Sequence, residues 1–98
     1  MRSANKAAMK DIKIRRMASK DISEVVLLES LIFPDPWPKA AFLEELNGSN
    51  RGVLVAESEQ TIIGYAAYIV CSGEVHLTNL AVAPEYRRKS IAKILLNH

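Results

Sequence analysis

Ninety-eight residues allow one domain and no more. They are 49% hydrophobic and 24% charged, enough to bury a modest core and too apolar for a disordered chain. A net charge of +2 gives no ground for a nucleic-acid or anionic-membrane partner, and the single cysteine, Cys71, excludes an internal disulfide. No apolar run approaches the ~20 residues of a membrane span. Residues 1–10, MRSANKAAMK, are basic but lack the apolar stretch of a signal peptide. They read as a loose tail before one domain over residues 11–98, with a cytoplasmic location expected.

The alternation from Ile12 to Met17 predicts a short first strand. Asp21 then stands three residues before Glu24 in a capping-box arrangement. Ile22, Val25, Val26 and Ile32 recur at helical spacing, which predicts a helix over 19–31. Pro34 and Pro36 end it, since neither can donate a helix hydrogen bond. Pro38 suits the first turn of a second helix with Phe42 and Leu46 on one face, closed by Asn47-Gly48.

A strand meander follows. Val53 to Glu57 reads as a strand, Ser58-Glu59-Gln60 as a tight connection, and Thr61 to Val70 as a long β-branched and aromatic strand despite Gly64. Ser72-Gly73 turns the chain into a further strand over 74–82, which Ala83-Pro84-Glu85 breaks. A last helix begins at Ser90 with Ile91, Ile94 and Leu95 as its stripe. The expected class is α/β (α+β), in the order β-α-α-β-β-β-α.

Chemistry concentrates where the strand Leu80-Ala81-Val82 runs through a short turn into Arg87, Arg88 and Lys89 and then a helix start at Ser90-Ile91-Ala92. The first N–H groups of a helix lack internal partners and the helix dipole favours negative charge there, so this arrangement suits an anion. The residues alone equally admit a solvated basic turn before an ordinary helix. Cys71 sits in a turn and reads as a small filler or surface thiol. His76 and His98 lack further ligands at metal spacing, so no metal is expected.

This segment resembles the acetyl-CoA motif of the GNAT superfamily, [QR]-x-x-G-x-[GA] after an apolar-Ala-Val strand. Arg87 and Ala92 fit it, and Ser90 stands where the family has glycine. Upstream, Ile32-Phe33-Pro34-Asp35-Pro36-Trp37 and Ala41 to Leu46 are similar to the helix–loop–helix of RimI-like N-terminal acetyltransferases, as is the strand from His76 to Val82. The resemblance runs from about Ile12 to the end of the sequence. It implies a GNAT-like fold with a mainly antiparallel sheet flanked by helices, of which this sequence is the N-terminal portion.

By the same resemblance the cosubstrate is acetyl-CoA. Its pyrophosphate would be held by backbone amides of the turn from Arg87 through Arg88, Lys89, Ser90 and Ile91 to Ala92. Its pantetheine arm would pair with Leu80, Ala81 and Val82. His76 occupies the place where several such enzymes carry His or Tyr, and is the first candidate for a base or water-positioning group. Glu74 is the second. A partly exposed strand histidine and a solvated carboxylate are the plainer alternatives. Phe33 and Trp37 would border the acceptor site, with a plain hydrophobic anchor as the other reading of Trp37.

The implied acceptor is a protein or peptide N-terminus, such as the N-terminal alanine of a ribosomal protein. A small-molecule amine, or an inactive domain kept for binding or dimerisation, remain the alternatives. The family fold continues with another strand, a helix and final strands beyond His98, and its usual general-acid tyrosine falls in that part. An open edge on the strand over 74–82 then points to a homodimer.

Overall fold

Two tight turns dictate the sheet. Glu59 and Gln60 lie at φ 50° and 68°, and Ser72 and Gly73 at φ 53° and 80°. Positive φ at both central residues marks the two-residue hairpin turn whose twist matches that of the flanking strands. Only Gly73 adopts it without a steric cost; Glu59, Gln60 and Ser72 each give up about 1 kcal/mol or more, which the strands they join must offset.

The computed structural model describes residues 12–86 and 91–96. The tail over residues 1–10, and Arg87, Arg88, Lys89 and Ser90 of the basic turn, lie outside the described residues. The described elements are β1 (Lys13–Arg16), α1 (Ile22–Ile32), α2 (Lys39–Asn47), β2 (Arg51–Ser58), β3 (Thr61–Cys71), β4 (Glu74–Val82) and α3 (Ile91–Leu96). Short 3-10 turns at Ser19–Asp21 and Pro84–Tyr86 precede α1 and follow β4. The order is the one expected from the sequence, and the limits of β4 coincide with the expected ones.

The four strands lie in the order β1-β2-β3-β4, antiparallel throughout. Side chains alternate across a strand, so the register sorts them onto two faces. Val55, Tyr65 and Ala81 are aligned on one face, where they meet Ile22, Val25 and Leu28 of α1 and Phe42 of α2. Leu54, Ala66 and Leu80 are aligned on the other, where α3 contributes Ile91 and Leu95. Helices thus cover both faces, and β3 is buried from Ile62 to Ala67 without alternation.

Register shifts twice. Ala67 pairs with Asn79 but Tyr68 with Leu77, leaving Thr78 as the extra residue of a bulge in β4. Ala56 pairs with Gly64 and Glu57 with Ile62, leaving Ile63 as the extra residue in β3.

The capping box expected at Asp21 and Glu24 is not what the chain builds. Asp21 is already helical in its backbone (φ −87°, ψ −12°), because the 3-10 turn starts the winding early at Ala18. Its carboxylate reaches back to the Ala18 N–H at 2.7 Å and is held by both terminal nitrogens of Arg15 at 2.7 and 2.9 Å. Glu24 Oε2 instead accepts the Ile62 N–H at 2.9 Å, tying α1 to the start of β3. Asp21 thus still caps locally, on the Ala18 N–H, while Glu24 serves a tertiary contact. At the other end, Phe33 is extended (φ −110°, ψ 135°), as the residue before a proline is pushed to be. Helix α2 ends at Asn47 as expected, but Gly48 follows at φ −81° with no left-handed cap.

Candidate functional site

Strand β4 is an edge of the described sheet, and its backbone alternates between neighbour and outside. Ala83 N–H donates to Ile63 O at 2.8 Å, so Ala81 and Ala83 turn their groups toward β3 and Leu80 turns its own away. The Leu80 N–H is taken at 3.0 Å by the side-chain oxygen of Asn79. Among the described residues, no further strand pairs with the backbone at Leu80. Ala81 and Val82 bury their side chains on opposite faces. Since Ala81 also turns its backbone groups to β3, it does not offer them to an arm at the outer edge as the sequence suggests; the main chain of Leu80 and Val82 faces that edge.

Asn79 leads inward. Its Nδ2 donates to Glu29 Oε1 at 2.9 Å, and the same oxygen accepts the hydroxyl of Tyr65. The other oxygen, Oε2, accepts the Trp37 N–H at 2.8 Å. Glu29 is 1% exposed, a buried carboxylate that survives because three donors converge on it. Burial raises the Tyr65 phenol far above its ordinary pKa, and the hydrogen bond and charge of Glu29 add to this. The hydroxyl is therefore a permanent donor. Aromatic contacts run alongside: Trp37 lies tilted at 45° against Phe42 with ring centroids 5.3 Å apart, and Phe42 meets Tyr65 edge-on at 5.8 Å.

Phe33 and Trp37, expected at the acceptor entrance, are both half-buried against the α1–α2 cluster. Of the residues expected from the sequence, the structure brings Trp37 and Leu80 into one hydrogen-bonded network, through Glu29 and Asn79. It does not bring His76 and Glu74 into it. They lie on the far side of the Thr78 bulge, about 13 Å along the strand from Leu80 to His76 at ~3.3 Å per residue. His76 Nε2 and Glu74 Oε1 are 3.6 Å apart with side chains 54% and 77% exposed, so water reaches both. Ile91 is core by its side chain, wedged against Val82 and Leu95, and Ala92 is half-buried. Any contact of Ile91 with a phosphate runs through its backbone.

Glu29, Tyr65 and Asn79 form the centre of this network, and the sequence reading gives none of them a role. Each had a signal. Glu29 stands beside Leu28 on the stripe of α1, Tyr65 interrupts an apolar run in β3, and Asn79 interrupts one in β4. On the opposite face of the sheet, Leu54, Tyr68, Val75, Leu77 and Leu95 line an apolar groove of about 240 Å³.

Residues 22–98 match the family model described as Acetyltransferase (GNAT) family. A protein of Bacillus subtilis (strain 168), which carries the name of a ribosomal protein bS18-alanine N-acetyltransferase, is 32% identical over 83 residues. That similarity covers 84% of this chain and 55% of the relative. An N-alpha-acetyltransferase of Saccharolobus solfataricus is 28% identical over 108 aligned residues, covering 98% of this chain and 65% of the relative. The chain thus spans less than two thirds of the length of these relatives. Among solved structures, the ribosomal-protein-S18-alanine N-acetyltransferase from Escherichia coli matches with a TM-score of 0.79 at 23% identity, over 89% of this chain and 56% of that one. The fold is shared.

Proposed function

The chain belongs to the GNAT acetyltransferase family, and on that premise we propose that it is the acetyl-CoA-binding part of an N-acetyltransferase acting on the α-amine of a protein N-terminus. The observation that carries the reading is the family match itself, which runs from α1 through the outward-facing backbone of β4 and the basic turn. The names of the relatives from Bacillus subtilis and Saccharolobus solfataricus support an α-amine as acceptor, and the first of them suggests the N-terminal alanine of a ribosomal protein.

The residues fit an amide-bearing arm followed by a pyrophosphate. The backbone of Leu80 faces away from β3, so an extended arm could lie beside β4 as a strand would. The turn from Arg87 to Ala92 would hold the phosphates with backbone amides and cationic side chains. Ser90 lacks the freedom of the family's glycine, but its hydroxyl can cap the helix or meet a phosphate oxygen.

Acetyl-CoA supplies an acetyl group activated as a thioester. The chain's own task is to present a neutral amine to it. An α-amine has a pKa of about 7.7–8.0, so a weak base suffices. His76 would take the proton directly or through a water, with Glu74 Oε1 3.6 Å from its Nε2.

Calorimetry with coenzyme A tests the turn. Arg88→Glu should weaken binding, and the deficit should shrink as salt rises, because screening removes the charge term. A parent chain with no measurable affinity would sink the reading. Turnover on alanine-initiated peptides against polyamines then tests the acceptor, and preference for polyamines would replace the protein N-terminus by a small amine.

A further inference from the structure

Three donors from three places in the chain meet on one carboxylate. Glu29 of α1 binds the Trp37 N–H in the α1–α2 loop, the Tyr65 hydroxyl of β3 and the Asn79 amide of β4. Asn79 uses its remaining side-chain oxygen on the outward N–H of Leu80. A continuous hydrogen-bonded path therefore joins the loop that bears Trp37 to the backbone edge assigned to the cosubstrate. The side chain at its centre is almost completely buried.

We propose that Glu29 is a positioning residue that sets the acceptor entrance at Trp37 in register with the cosubstrate-facing edge of β4 at Leu80. This rests on the N-terminal acetyltransferase reading above. A carboxylate is the one side chain that suits the place. Three donors need an acceptor-only group with two separate oxygens, and glutamate provides that at the reach of α1. Glutamine is the same size yet offers one oxygen and one NH2. With its oxygen kept on Tyr65 and Asn79, its NH2 would oppose the Trp37 N–H, donor against donor. The loop is released while the core stays filled.

Trp37 is the only tryptophan, so its fluorescence reports this loop without labelling. In the 98-residue chain, Glu29→Gln should make Trp37 more accessible to acrylamide than in the parent. Tyr65→Phe, which leaves the Trp37 contact in place, should not. In turnover assays Glu29→Gln should raise the peptide KM by roughly tenfold, the factor expected when one hydrogen bond to a charged acceptor is lost, with the acetyl-CoA KM unchanged. Val25→Ala, a fully buried position on the same helix, controls for simple destabilisation and should leave the ratio of the two KM values as it was. Unchanged quenching in Glu29→Gln overturns the proposal, as does an equal rise in both KM values. A parent chain that acetylates no peptide overturns the functional premise instead, and is distinguishable because quenching would still respond to Glu29→Gln.

Discussion

Replacing Gly64 by alanine should destabilise the protein, although glycine is a poor strand residue. Gly64 lies in β3 directly beneath α3. A Cβ there would stand 3.0 Å from the Ala81 carbonyl oxygen, 3.4 Å from Ile91 Cγ2 and 3.5 Å from Leu95 Cδ1. The two side-chain contacts are tight but tolerable; the carbonyl is not free to retreat, because Ala81 is a ladder partner of Tyr65. Overpacking of this kind costs about 1–3 kcal/mol. Removing the glycine returns about 0.5–1 kcal/mol through a less disordered unfolded chain. Midway in both ranges the balance is a loss of about 1 kcal/mol. For a domain of this size each kcal/mol moves the Tm by roughly 4–8 °C, so thermal unfolding followed by circular dichroism resolves it. An unchanged or higher Tm would refute the reasoning and mean that α3 yields without cost.

Phe42→Ala removes a ring with no exposed surface that touches both Trp37 and Tyr65, and should cost about 3–5 kcal/mol in urea unfolding, enough to leave little folded protein. Asp21 is held below the ordinary aspartate value of 3.8 chiefly by its hydrogen bonds from Arg15. A carboxyl depressed on folding stabilises above its unfolded pKa, and that contribution disappears as pH falls through its lower folded value. Asp21→Asn should therefore be less stable at neutral pH, with a flatter stability profile below about pH 4; a parallel acid profile would count against this. Val75 and Leu77 on β4 and Leu96 on α3 are exposed apolar groups beside the groove under α3. Concentration-dependent sedimentation is expected from this edge, diminished in Val75→Lys, whereas a monomer at every concentration would argue against pairing through it.

The segment proposed for the cosubstrate stands out in the sequence because its signals are local: an apolar strand, a proline-broken turn and a basic run before a helix start are contiguous. The Glu29 network was not. Its members are 36 and 50 residues apart in the pairs Glu29–Tyr65 and Glu29–Asn79, and no spacing rule links them. A glutamate on α1 is exposed or buried according to how the helix rotates against the sheet, a decision made by packing and not by its neighbours in the chain. The histidine that drew notice in the sequence stands in solvent, while an unremarked acid holds the loop.

The sequence by itself determined the succession of elements, the turns at Glu59-Gln60 and Ser72-Gly73, and the limits of β4. These follow from side-chain period and turn chemistry within a few residues. Tertiary structure decided what was done with the polar residues. Asp21 and Glu24 had the spacing of a cap, yet Asp21 caps the Ala18 N–H and pairs with Arg15 of β1, and Glu24 finds its partner across the fold in the Ile62 N–H of β3. It also decided which face of each strand met which helix, since one bulge at Thr78 returns Asn79 to the face of α1 and so to Glu29. Hydrogen-bonding groups cost most when buried without partners, so their final pairing is settled only when the register of the sheet and the rotation of the helix are both fixed.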